Sequence, residues 1–417
     1  MHWTLRKLRT VAALAAASLL LTGCGGGAAA GGAEQGTGPD LLIWTGGGAG
    51  GEATKALGAQ FAKEYGVSVT VQIVPTELQT QFVTASQAGN APDIVFGAHD
   101  WIGNLVQNGT IDPIPMTEDL TSSFESLAVK AVTFNGQTYG IPFTMNSIVL
   151  FRNTALAPEA PKTIEDLVAT GKRLKAEGKV SEIMALPVGP NGDPYHINPL
   201  YTSAGGYMFG TLPNGDFDPK DFGVAKPGAV QAYRKIAALG EQGEGALKRS
   251  ITGENLLSLF TGRKTAFMFS GPWQFAQLAK SGLKYDVSPI PPFAGGKPAS
   301  AFITVDAAYV ASKGRNKALA QEFATNFWSR PEVSLTLFRA NPNVPALKAT
   351  LQQIQGSDPY VVKAAASGRE TGQIMPSIPE MTAVWDPLGK AEAAVIAGAD
   401  PASTIGAAAR AIEAQLK

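Results

Sequence analysis

Between Leu41 and Phe96 the chain alternates strand-like and helix-like stretches. Leu41-Leu42-Ile43-Trp44 is a continuous apolar run of the buried-strand kind. Residues 52–65 set Ala53, Leu57, Phe61 and Ala62 on one side of a helix that Gly66 stops. Residues 67–74 alternate as a strand, and residues 77–88 fit a second helix. Asp93-Ile94-Val95-Phe96 follows the breaker Asn90-Ala91-Pro92 as another buried strand. Strand, helix, strand, helix, strand predicts parallel α/β layering. Farther on, residues 139–153 (YGIPFTMNSIVLFRN) read as a long extended segment with polar residues at its centre. A helix is predicted from Thr163, where Thr163 and Asp166 make an approximate capping pattern. Others are predicted over 227–240, 318–329 and the Ala-rich stretch 387–417. Phe323 and Trp328 read as core. The expected fold is α/β: two lobes joined by several extended crossings.

Length and composition agree with two cores. The chain has 417 residues, of which 45% are hydrophobic, and single cores seldom grow beyond about 300 residues. Its only cysteine, Cys24, closes the run Leu21-Thr22-Gly23-Cys24 behind Arg6, Lys7, Arg9 and an apolar stretch from Val11 to Leu21. That pattern predicts a secretory signal over residues 1–23 with a small-residue cleavage site. The run is similar to the lipobox of bacterial lipoproteins, which implies acylation of Cys24 and a lipid anchor to the cell membrane. Residues 24–39 then read as a flexible tether. Loss of the signal lowers the basic count from 34 to 31 against 34 acidic residues. Such a neutral chain has no electrostatic reason to seek nucleic acid. With one cysteine and 3 histidines, neither an internal disulfide nor a transition-metal site is expected. No cofactor is expected either, and a monomer is.

Three local patterns have binding character. Gly97-Ala98-His99-Asp100-Trp101 follows directly on a strand, where ligands of open α/β sheets sit. Asp100 and Trp101 therefore fit ligand contacts, and they fit equally a helix cap beside a core ring. Asp193-Pro194-Tyr195-His196 gathers an acid, a phenol and an imidazole in a Gly/Pro-rich loop, although Asp-Pro is also an ordinary turn former. The third pattern is a pair of tryptophan segments, Phe269-Ser270-Gly271-Pro272-Trp273 and the stretch from Met375-Pro376 to Trp385-Asp386. Aromatic rings of this kind stack on the C–H faces of sugars. Trp44, at its strand end, fits core and ligand alike. The run Gly46-Gly47-Gly48-Ala49-Gly50-Gly51 lacks both the Walker lysine and a G-x-G-x-x-G fingerprint. It reads as a flexible turn that lets a ligand approach the backbone.

The segments LLIW, APDIVFGAHDW, YGIPFTMNSIVLFRN, APKTIEDL, SAGGYMF, FMFSGPW and IMPSIPEMTAVW resemble, in order and spacing, those of the bacterial maltose/maltodextrin-binding proteins. Those are the extracytoplasmic solute receptors of ABC-type sugar importers. The resemblance spans Leu41 to the C-terminus. It implies a type II periplasmic-binding-protein-like α/β fold with the ligand cleft between two hinged lobes. Lobe 1 would comprise 40–143 plus 307–329, and lobe 2 would comprise 148–303 plus 332–417. The crossings would pass near Pro142–Ile148, Phe302–Ala307 and Ser329–Glu332.

By the same resemblance Asp100 hydrogen-bonds sugar hydroxyls, Tyr195 contacts the sugar, and Trp273 and Trp385 stack on glucosyl rings. Asp193 and Asn146 stand where the family has glutamates. Trp101 stands in place of an arginine, and Gly97 in place of an aromatic. Trp44, His196 and Asp386 complete the candidate ligand set. The family's Asp-Lys pair falls at about Gly48-Ala49, where neither charge exists, and its last arginine at about Gly389. These departures imply a pocket shaped differently from one for simple maltose.

The function so implied is a lipid-anchored receptor that hands maltodextrin-type oligosaccharides to a membrane permease, with no catalysis. Alternatives are a receptor for another oligosaccharide (cyclodextrin, trehalose or another linkage) and a secreted glycoside hydrolase using two carboxylates. A surface adhesin or sensor subunit is a third.

Overall fold

The computed structural model describes residues 40–416, so the signal, the tether and the Cys24 anchor lie outside the described residues. The predicted first layer is present. Strand β1 (Leu41–Thr45) leads through helix α1 (Gly48–Tyr65) to β2 (Val69–Ile73), and α2 (Leu78–Gln87) leads on to β3 (Ile94–Ala98). Both β2 and β3 run parallel to β1, with Leu41 opposite Val69 and Ile43 opposite Ile94. Leu57 and Phe61 of α1 are buried against this sheet, as their spacing requires. Because β2 and β3 flank β1 on opposite sides, the strand order reverses at β1. In an open α/β sheet the crevice for a ligand opens beyond the carboxyl ends of the strands at that point.

The glycine run is helix rather than flexible turn from Gly48 onward, and its first turn is packed. A Cβ at Gly51 would lie 2.3 Å from the Gly46 carbonyl oxygen, so only glycine permits this approach of helix to strand end. Thr54 Oγ1 also donates to the Gly50 carbonyl at 2.9 Å.

The extended segment 139–153 is two strands. Strand β4 (Gly140–Ser147) joins the first sheet, whereas β5 (Val149–Asn153) is the centre of a second sheet. Side chains alternate on β5: Val149 and Phe151 enter one apolar cluster and Leu150 another. The chain thus changes sheet at Ile148. Thr163 caps the predicted helix α3 (Ile164–Ala176) in a full capping box, accepting from Asp166 N at 3.0 Å and donating its own N–H to Asp166 Oδ2 at 3.1 Å. Helices α4 (Pro194–Ser203) and α5 (Pro227–Leu239) follow. Strands β6 (Phe267–Ser270) and β7 (Tyr285–Ser288) then flank β5 antiparallel.

Strand β8 (Phe302–Val310) returns to the first sheet, antiparallel to both β3 and β4, giving the order β2-β1-β3-β8 with β4 also on β8. Phe323 and Trp328 are core, with the five residues Phe323–Phe327 forming one π-helical turn. The third crossing departs from expectation. Helix α6 (Pro331–Ala340) packs on α1 and buries Val333 in the first lobe's cluster. Arg330 reinforces this packing by pairing with Glu64 at 2.8 Å. Arg330, inside the expected crossing, also donates to the Tyr65 hydroxyl of α1 at 3.2 Å. The passage between lobes is spread from α6, whose Phe338 joins the second sheet's cluster, to residues 343–347, where Met145 N donates to the Val344 carbonyl at 2.9 Å and Thr144 bridges Pro345. Beyond it, the short strand β9 (Gln373–Ile374) lies parallel to the start of β8. The Ala-rich end is two helices, α7 (Trp385–Ala397) and α8 (Pro401–Glu413), separated at Gly398, whose φ of 114° stops the first.

Candidate ligand-binding site

The crevice at the strand reversal is a cavity of about 430 Å³. The first turn of α1 supplies a wall of glycine backbone, and Phe96, Gly97, Ala98 and Trp101 supply the end of β3. Phe143, Thr144 and Asp306 close its base, and Ser334, Leu337, Phe338, Asn341 and Asn343 its far side. Trp101 is half-buried with its ring seated over Gly97, where a Cβ would come within 2.1 Å of the indole. The missing side chain at 97 and the ring at 101 are therefore one arrangement, an aromatic face supplied from the turn instead of the strand.

Asp100 lies in the 3-10 turn His99–Trp101 and caps no helix. Its Oδ1 is buried without a hydrogen-bond partner. Burial, with a further push from Asp306, raises its carboxyl to about 6. An acceptor held in this way gains a partner when a hydroxyl arrives. Asp100→Asn is expected to raise stability at pH 7.5 by about 2 kcal/mol, since it removes a charge whose burial is uncompensated. The same change should weaken sugar binding, and thermal melts with and without sugar would show both effects.

The second lobe holds a chain of rings that is open at Trp273 and passes through the buried Phe302. Trp273, 37% exposed, stands edge-on to His196 at 6.4 Å between centroids, and His196 meets Tyr195 at 5.2 Å. Tyr195 lies 6.2 Å from Phe302, and Phe302 lies 6.2 Å from Trp385. Trp273 is displayed because Gly-Pro breaks the chain after β6 and the ring folds back over Gly271, within 2.1 Å of where a Cβ would be. The Tyr195 hydroxyl is buried beside Thr304 with no partner of good geometry. Burial, then the charges of Asp193, Asp306 and Asp100, push this phenol up, so it stays an O–H donor. Tyr195 is thus near enough to Asp100, and to Asp306 on the crossing strand, to feel their charge.

Asp193 fulfils the turn reading. It caps α4, accepting from His196 N at 3.0 Å, while its second oxygen meets His196 Nδ1 at 2.8 Å. The α4 cap therefore also sets the imidazole in the ring row. Asn146 is buried, and its Oδ1 accepts from Val344 N at 3.1 Å. Its acceptor is thus committed to tying two crossings together. Trp44 packs on the first core with its indole N–H buried and unpartnered, away from the cavity lining. Asp386 is exposed and pairs with Lys390 at 2.8 Å along α7. Sequence reasoning missed Asp306, whose carboxylate in a predicted crossing strand was the available signal. It missed Glu392 as well, a fully buried acid on α7 accepting from Tyr233 at 2.6 Å. Burial holds Glu392 well above the usual carboxylate range.

Among the described residues no group of three His, Cys, Asp or Glu side chains gathers as a metal site. None of their helices is long and apolar enough to cross a membrane.

Comparison with known proteins agrees with this architecture. The chain is 30% identical over 393 residues to the galactooligosaccharide-binding protein of Bacillus subtilis (strain 168), covering 91% of this chain and 90% of that one. It is 29% identical to the maltodextrin-binding protein MdxE of the same organism, over 80% of each chain. The maltooligosaccharide ABC transporter solute-binding lipoprotein of Streptococcus pneumoniae (strain ATCC BAA-255 / R6) is 27% identical over 78% of this chain and 77% of that one. A crystal structure of a cyclo/maltodextrin-binding protein complexed with maltotetraose superposes with a TM-score of 0.78 at 26% identity, covering 92% of this chain and 99% of that one. The family described as bacterial extracellular solute-binding protein matches residues 56–366. The chain belongs to that family of bacterial extracellular solute-binding proteins.

Proposed function

We propose that this protein is a lipid-anchored extracytoplasmic receptor that binds an oligosaccharide of the maltodextrin type and delivers it to an ABC import permease. One observation carries the reading: the ring row from Trp273 to Trp385 adjoins the buried acids Asp100 and Asp306. Flat aromatic faces for C–H surfaces, beside unpaired acceptors for hydroxyls, are what a sugar chain needs. Ligand contacts come from Asp100 and Trp101 in the first lobe and from Asp193, Tyr195, His196, Trp273 and Trp385 in the second. Lobe 1 comprises residues 40 to about 143 with about 307 to 343, and lobe 2 about 148 to 303 with about 347 to 417.

A sugar touching both lobes stabilises the arrangement in which they approach, a population shift driven by contacts only the closed state makes. The closed receptor then docks on the permease, and acylation at Cys24 keeps the two at high effective concentration. No step of this function is catalytic. The 30% identity to a galactooligosaccharide-binding protein favours a galactosyl oligosaccharide as the second reading.

Titration of the full chain in detergent, followed by tryptophan fluorescence, tests the proposal. Maltotriose, β-cyclodextrin, trehalose and a galactotriose are the probes. A saturable change with one of them and no released product is the expected result. Sugar turnover would instead make the protein a hydrolase, and silence with all four would remove the α-glucan assignment.

A further inference from the structure

The base of the cavity is shaped by an irregularity in pairing. Strand β8 meets β4 with Asp306 opposite Thr144, but the next residue, Ala307, is opposite Pro142. Phe143 is therefore extra, a β-bulge of the kind that re-aims side chains. Pro142 suits such a site, since it has no N–H to give the ladder. Phe143, Thr144 and Asp306 all line the cavity as a result. Thr144 Oγ1 donates to Asp306 Oδ2 at 2.6 Å, which fixes the carboxylate. Asp306 Oδ1 makes no hydrogen bond among the described residues.

Two further polar atoms of the cavity wall are orphans. Ser334 Oγ and Asn343 Oδ1 are buried and unpartnered. Buried polar groups are ordinarily satisfied, so orphans gathered around one cavity point to a missing partner. The lining includes two acids, Glu77 and Asp306, and no lysine or arginine. An anionic sugar would meet uncompensated negative charge there, whereas a neutral ring offers O–H donors to the waiting acceptors. The volume lies within the roughly 300–1,000 Å³ range of small-molecule pockets.

We propose that Asp306 is a ligand-binding residue, accepting a hydrogen bond from a hydroxyl of an uncharged sugar ring that occupies this cavity, with Ser334 and Asn343 as its companions. This rests on the receptor reading above and deepens it. Asp306 sits on a strand that crosses between the lobes, so a ring held there bears directly on the hinge. The ring also spans from β8 to residues 334–343, at the approach to the third crossing. Thr144 acts as a positioning residue that presents the free oxygen.

Calorimetric titration of the full chain in detergent, with the four sugars above, tests the assignment. For the sugar that wild type binds, Asp306→Asn and Asp306→Ala are expected to lose affinity about tenfold or more, as for removal of one charge-assisted hydrogen bond. Asparagine keeps an oxygen for Thr144, so Asp306→Asn should melt close to wild type. Thr144→Val should lose affinity about threefold, through a less well-held carboxylate. Trp273→Ala serves as the control for the receptor reading. If it weakens binding while both Asp306 variants bind within about twofold of wild type, Asp306 is not a ligand residue and the receptor stands. If wild type binds none of the probes, the reading and this assignment fall together. Should both Asp306 variants fail to fold, Thr144→Val decides, and unchanged affinity there overturns the proposal.

Discussion

Trp273→Ala weakens sugar binding by about ten- to a hundredfold while the melting temperature stays near that of wild type. The expectation follows from where the ring stands. Trp273 is 37% exposed, follows a Gly-Pro break and rests over Gly271, so its removal opens no cavity in a core. A large flat ring displayed on a binding face is the kind of residue whose truncation costs about 2 kcal/mol or more. Trp385→Ala should lose affinity to a similar degree, with a difference. Trp385 is partly buried against the second lobe's core, so this variant also loses about 1–3 kcal/mol of stability. Calorimetric titration beside thermal melts separates the two effects. If both variants bind as wild type does, the ring row is not the binding face.

The second large effect is on acid stability, and it has two opposing parts. His99 is fully buried between segments: its Nε2 meets the Met375 carbonyl at 3.0 Å and its Nδ1 accepts from Val305 N at 3.0 Å. Burial lowers its pKa to about 4. Between about pH 6.5 and 4 the unfolded chain therefore takes up a proton that the native state refuses. Stability falls on acidification across that window, by up to about 3 kcal/mol from this group. Asp100 has the reverse sign. Its carboxyl, raised to about 6, holds a proton that the unfolded chain releases nearer 3.8, so stability rises as pH falls from about 6 toward 4.

In wild type the two neighbours largely offset. In Asp100→Asn only the histidine contribution remains, so melts from pH 7 to 4 should decline more steeply than wild type. Parallel curves for the two proteins would rule out this account. Carboxylates remote from Asp100 cancel in the comparison, which confines it to this corner of the site. His99→Ala, which leaves a carbonyl and an N–H unpaired around a void, should lose about 3–5 kcal/mol at pH 7.

These residues also mark how far the sequence alone could carry the reading. The first layer was legible because β1 and β3 are short apolar runs, β2 alternates, and α1 carries one apolar face that packs on the sheet. The capping box at Thr163 was legible because both of its partners are local. The third crossing was not. Residues 329–332 contain a proline, as a helix boundary would, but whether a helix sits on one lobe or the other depends on partners such as Glu64, distant in sequence.

The candidate site was legible where it follows strand ends and breakers, as at Asp100, Trp101 and Trp273. It was obscure where the cavity lining depends on a bulge, because the slip between Asp306 and Ala307 exists only once β4 and β8 are paired. Asn146 shows the opposite case. Its amide reads as a ligand contact, and its oxygen also accepts from the backbone of Val344, a partner distant in sequence.

The bare first turn of α1 bears on how such a receptor can change its diet. A Cβ at Gly46 or Gly50 would meet no atom within 4 Å, and both residues line the cavity. Methyl groups could be added there one at a time without disturbing the packing behind them, and at Gly50 an alanine would favour the helix by about 1 kcal/mol. Gly51 is closed to such change by the Gly46 carbonyl, and Gly48 by its φ of 77°. The wall therefore holds positions free to vary, Gly46 and Gly50, beside one that is fixed, Gly51. A lineage, or an engineer building a sugar sensor, could narrow the range of acceptable ligands by single substitutions while leaving hinge, rings and acids untouched.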